Sequence, residues 1–113
     1  MKLKLHIFLL LLFSISLQSQ ITTVGLVGDG TPLGSWDNDV DMVQNDTMPD
    51  IWTLTVALNG KPVKFRANDS WTLAWGDKTF PWGIGSTVGG SPNMPAIAGN
   101  YDITFNSATG EYF

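Results

Sequence analysis

The chain has 113 residues, with ten acidic groups, six basic groups, one histidine and no cysteine. His6, Lys2 and Lys4 all fall in the first twenty positions, so residues 21–113 carry four basic against ten acidic groups, a net charge of −6. That balance repels a phosphate backbone and argues against a nucleic-acid partner; without His or Cys the domain also lacks Ser-His-Asp and Cys-His nucleophiles and the usual zinc ligand sets.

Residues 1–20 read as a secretory signal peptide. Lys2 and Lys4 supply the positive start, Ile7 to Phe13 is an unbroken apolar run, and "SISLQSQ" brings the small and polar exit. The run is too short to span a bilayer. The expectation is an exported protein in the periplasm, at the cell surface or outside the cell, with no cysteine for lipidation. Residues 21–113 are then a single small domain, which without disulfides must be held by its core.

Short apolar-alternating runs between Gly, Pro, Asn and Asp predict an all-β fold, a small antiparallel, immunoglobulin-like β-sandwich. The first strand is expected within "TTVGLVG" (22–28). "PLGSWDNDVDM" then reads as an acidic loop around Trp36. "IWTLTVAL" (51–58) alternates, with Trp52, Leu54, Val56 and Leu58 on one face. "NG" at 59–60 predicts a hairpin into "KPVKFRA", where Val63, Phe65 and Ala67 share one face and Lys64 and Arg66 the other. "WTLAW" (71–75) is a further short strand. The stretch 76–99 is a long Gly/Pro-rich loop, of the kind that is usually functional or disordered. "NYDITF" and a closing "EYF" complete the set.

Five tryptophans carry the functional question. Trp52 belongs to the apolar face of its strand and reads as core. Trp36, among glycine and acids, either faces solvent or caps the core, and Trp82 in "FPWG" is similar. Trp71 and Trp75 share a face with Leu73, so at least one packs inside; Trp71 is the one favoured for packing, and Trp75 is open between the two roles. An exposed indole suits a sugar, whose C–H bonds pack on the ring face while Arg, Lys, Asn and Asp at its edge pair with the hydroxyls. "KFRANDSW" offers both halves of that arrangement. The bland alternative makes Lys64 and Arg66 a solvated strand face.

Other patterns are weaker. "DNDVD" (37–41) has the oxygen ligands that start a calcium loop, but Met42 and Met48 occupy the places of its glycine and its final acid, so no metal site is expected. With one glutamate, and most Asp residues in turn-like stretches, a catalytic carboxylate pair is not expected either. "NDT" (45–47) and "NDS" (68–70) match the N-glycosylation pattern.

The stretches "VGLVGDGTPLGSWDNDVDM", "VKFRANDSW" and "TGEY" resemble the starch-binding β-sandwich domains of the SusE/SusF type from exported proteins of the Bacteroidetes, over residues 22–113. More distantly, "FRANDSWTLAWG" is similar to the accessory sandwich modules of bacterial pullulanases. The resemblance implies a non-catalytic domain without cofactor. It would hold α-glucan on a curved platform made of Trp36, Arg66 with Lys64 in reserve, and Trp75. Asn68, Trp71 and Trp82 are further candidates for that site. Typical members are lipid-anchored and tandem, unlike this chain, and the loop around Trp82 is its own. The alternative reading is a structural or protein-interaction sandwich, a module of a larger secreted protein or a partner of outer-membrane uptake proteins, with its tryptophans buried.

Overall fold

The computed structural model describes residues 20–113; the expected signal peptide lies outside them except for Gln20. Nine strands run β1 (Val24–Gly28), β2 (Ser35–Asp41), β3 (Val43–Gln44), β4 (Ile51–Leu58), β5 (Lys64–Ala67), β6 (Ala74–Trp75), β7 (Gly83–Ile84), β8 (Gly99–Asn106) and β9 (Glu111–Tyr112). They form a four-stranded sheet in the order β2-β1-β5-β6 and a five-stranded sheet in the order β3-β4-β8-β9-β7. All pairings are antiparallel, and the described residues contain no helix. The molecule is therefore an antiparallel β-sandwich.

The alternation read from β4 is real. Trp52, Val56 and Leu58 are buried while Thr53, Thr55 and Ala57 face solvent. Its register with β8 runs unbroken from Ile51↔Asn106 to Leu58↔Gly99. Phe65 of one sheet stacks on Phe105 of the other, with ring centroids 4.2 Å apart. Trp75 meets Phe105 edge-on at 4.9 Å, and Tyr112 lies 5.7 Å from Phe65. These rings bury large apolar areas in geometries that favour the ring quadrupoles, so they set the contact between the sheets.

Four local expectations are corrected. The "NG" hairpin does not form: β4 pairs with β3 and β8, and β5 with β1 and β6. Asn59–Gly60 instead carries the chain between the sheets. Gly60 adopts φ 91°, the Asn59 amide donates to Gly30 O at 3.1 Å, and its Nδ2 donates to Asp29 O at 2.9 Å. A local turn signal loses here to the eight-residue β4–β8 pairing and to the need to place Phe65 opposite Phe105.

The acidic loop around Trp36 is an edge strand, β2. Its sequence alternates no apolar face, because its outward partners are an ion pair and a tryptophan. The strand expected over 71–75 is reduced to Ala74–Trp75. Asn68 and Asp69, at φ 57° and 51°, turn the chain through left-handed backbone after β5, and residues 71–73 loop out before β6 begins.

The fourth correction concerns residues 76–99, which are built into the sandwich. They supply β7, the bridges Gly76↔Ser86 and Val63↔Met94, and the buried side chains of Met94 and Ala96. Phe80 packs edge-on against Tyr101 at 5.1 Å. Below this loop Tyr112 Oη lies 3.0 Å from Asp77 Oδ2 and 2.6 Å from Thr79 O, tying β9 to the start of the loop.

Candidate ligand-binding surface on the four-stranded sheet

Every residue of β1 is buried, although the strand lies in a two-layer sandwich. Val24 and Leu26 face the core. Gly25 and Val27 face outward, opposite Arg66 and Lys64 of β5, since cross-strand partners share a face. Something covers that outer face, and it is a cluster formed by several of the candidate site residues.

The cluster begins with a missing side chain. A Cβ on Gly25 would stand 2.6 Å from Asp39 Cβ, so only glycine lets the Asp39 side chain cross β1 from β2. Asp39 there meets Arg66 of β5. Arg66 Nε donates to both carboxylate oxygens, at 2.8 and 3.0 Å, and Nη2 donates to Asp39 Oδ1 and, at 2.9 Å, to Asp37 O. The two side chains are 4% and 2% exposed. The hydrogen bond to Asp39 holds the guanidinium pKa above its ordinary value, against the burial that lowers it.

Two indoles lie over this pair. The Arg66 guanidinium carbon sits 5.0 Å from the Trp71 ring centroid, within cation–π range. Trp71 and Trp36 have centroids 6.3 Å apart and planes tilted by 37°. Trp36 is half-buried and Trp71 is 46% exposed. The local reasons are visible in the chain. Gly28 leaves space where a Cβ would come within 3.1 Å of Trp36 Cη2, and the Asn68–Asp69 turn lifts Trp71 out of strand register.

The seven residues marked by the sequence separate into groups. Trp36, Arg66 and Trp71 come together. Lys64 flanks them on the β6 side, its Cε lying against Gly76. Trp75 does not join: at 3% exposed it is core, because as a paired residue opposite Phe65 its ring points between the sheets. The sequence favoured the reverse assignment of Trp71 and Trp75, which strand alternation alone placed on one face.

Asn68 is occupied structurally. Its Oδ1 accepts from the amides of Thr22 and Thr23 and the Thr22 hydroxyl, and its Nδ2 donates to Gln20 O. Asn45 is likewise used internally, accepting from Thr47 and Met48. Trp82 is exposed, at 69%, but it precedes β7 at the edge of the other sheet. Arg66, expected at the ligand edge, is a buried support with only Nη1 uncommitted among the described residues.

Sequence reasoning missed Asp39 as the partner of Arg66. The hint was Gly25 at the centre of an otherwise apolar strand, since a strand glycine marks a close approach. Reasoning also missed the 87–91 segment, which borders a cleft with Lys64, Trp71, Thr72 and Ala74. No group of three or more carboxylates among the described residues is arranged to hold a metal ion. Comparison of the chain with protein-family models, with curated proteins and with solved structures finds no match.

Proposed function

We propose that this is a non-catalytic carbohydrate-binding domain of an exported protein, and that it takes starch-like α-glucan on the outer face of the four-stranded sheet. The observation that carries the reading is the Trp36–Trp71 pair, 6.3 Å between centroids and tilted by 37°. The spacing matches consecutive sugar rings, and the tilt suits the curvature of an α-1,4-glucan better than the flat face of cellulose. The Arg66–Asp39 pair underneath fixes Trp71, so little side-chain ordering is left to oppose binding. A shallow platform buries little ligand surface, and the dissociation constant is expected on the order of 10 μM to 1 mM.

The test is a titration with maltoheptaose followed by tryptophan fluorescence, with cellohexaose as control, on the wild type and on Trp36→Ala and Trp71→Ala. A saturable change with maltoheptaose alone, lost in both variants, supports the reading. No change at millimolar ligand removes it.

A second reading, a protein-interaction sandwich, draws on a different surface. Trp82, Ile84 and Phe113 are exposed apolar groups at or beside the β7–β9 edge. An unpaired edge strand with such neighbours favours a protein neighbour, another module or an uptake partner. Cross-linking to that edge, with the sugar titration negative, would favour this reading.

A further inference from the structure

The tryptophan pair does not end the surface. Beyond Trp71, in the direction of β6, lies a cleft between Lys64, Thr72 and Ala74 on one side and the segment Thr87–Ser91 on the other. Two features make it a place for a ligand and not a packing flaw. Its lining is more polar than apolar, with Lys64, Thr72, Thr87 and Ser91 among its residues. Its far wall is also glycine-rich, and a side chain added at Gly89 would meet nothing within 4 Å. Trp71 borders both this cleft and the Trp36 pair, so the two are continuous.

A second shallow groove is lined by Asp37, Asn38, Asp39 and Asp41 of β2 and by Asp69 of the turn after β5. The acidic groove offers carboxylate acceptors, and the cleft beside Trp71 offers a lysine donor. Both pair with neutral hydroxyls, and the carboxylates repel a uronate or sulfated chain.

Resting on the carbohydrate reading above, we infer that the ligand lies across the strands, from the β2 edge over Trp36 and Trp71 into the cleft walled by residues 87–91. It is a neutral glycan, and Lys64 is the hydrogen-bond donor that holds its far end. The track crosses three strand spacings, about 14 Å, and ends in the cleft, which Lys64 of β5 and Ala74 of β6 line. A hexose unit advances about one strand spacing, so the surface engages roughly four consecutive units, two over the tryptophans and the rest beyond Trp71. Lys64 is suited to its place because its stem lies along Gly76 and its amine has no ion pair or hydrogen bond among the described residues.

The experiment is a chain-length series, maltose to maltoheptaose, titrated against the wild type, Trp71→Ala, Lys64→Ala and Gly89→Trp, with a thermal melt of each. Gly89→Trp adds bulk on the segment that borders the cleft, at a position with room for a side chain. Wild-type affinity is expected to rise about tenfold from maltose to maltotetraose and then level off. In Lys64→Ala and Gly89→Trp the gain with length should shrink to about twofold, with melts unchanged. If wild-type affinity is already level at maltose, or if both cleft variants keep the full gain, the track is overturned, while maltose binding lost in Trp71→Ala keeps the tryptophan platform. If no malto-oligosaccharide binds the wild type, the platform and the track fall together.

Discussion

Asp39 reaches Arg66 across Gly25, and the guanidinium it holds lies 5.0 Å from the ring centroid of Trp71. A strand glycine, a buried ion pair and a half-exposed tryptophan thus form one mechanical unit. Two charges must leave water to form the ion pair, a cost that offsets much of their attraction.

Breaking that unit from one side should be costly. Asp39→Ala leaves a buried guanidinium without its carboxylate and is expected to lower stability by about 3–5 kcal/mol in urea unfolding. Replacing both partners, Asp39→Leu with Arg66→Met, should cost clearly less than the single change. Equal or greater loss in the double variant would mean the pair contributes net stability.

Trp71 and Trp75 are four residues apart and should behave oppositely. Trp75→Ala empties a core position against Phe105 and is expected to cost about 3–5 kcal/mol. Trp71→Ala should cost about 1 kcal/mol or less, chiefly the cation–π contact, yet abolish the fluorescence response to maltoheptaose. Urea midpoints and the sugar titration on the same samples check both halves.

Tyr112 sets an alkaline limit. Burial pushes its hydroxyl up to about 12, the hydrogen bond from Thr79 works against this, and the bond to Asp77 adds to it. An unfolded tyrosine ionises near pH 10, at about its reference value. Between those values the unfolded chain has lost the proton that the native state still binds, so stability falls as pH rises. The contribution is whole below about pH 10 and is lost through about pH 12. Absorbance at the tyrosinate band should show one tyrosine ionising only as the protein unfolds, and Tyr112→Phe should flatten the alkaline slope.

Asp77 has the opposite sign. Burial opposes its ionisation, but hydrogen bonds from Thr79, Tyr112 and the Lys78 and Ile84 amides outweigh it and hold the carboxyl below its ordinary value. Its contribution is present above the ordinary carboxylate range and is lost as pH falls through the native value. Asp77→Asn should make acid unfolding less steep, read by circular dichroism on a pH series.

Asn68 staples the start of the domain. Asn68→Gly keeps the left-handed turn and removes the bonds to Gln20, Thr22 and Thr23, whereas Asn68→Ala also strains the backbone. Both should speed hydrogen exchange at the Thr22 and Thr23 amides. Asn68→Ala should cost about 1 kcal/mol more than Asn68→Gly.

The sequence by itself determined the class of fold and much of its core. Alternation in Ile51–Leu58 and in the Val63, Phe65, Ala67 set depends only on the two-residue period of a strand, so the buried faces could be read directly. The tryptophans were legible as a group, because indoles beside Arg, Lys and Asn are chemically suggestive wherever they sit. What the tertiary structure alone decided was which of them face outward and what holds them. Alternation put Trp71 and Trp75 on one face, but two left-handed residues, Asn68 and Asp69, broke the register between strand and loop. Asp39 and Arg66 stand 27 positions apart and meet only because β1 runs between their strands with a glycine at the crossing. A sequence period records how one strand meets a core; contacts that cross a third strand depend on sheet order, which "NG" at 59–60 misstated. The surface that carries the proposed function is made of those longer contacts.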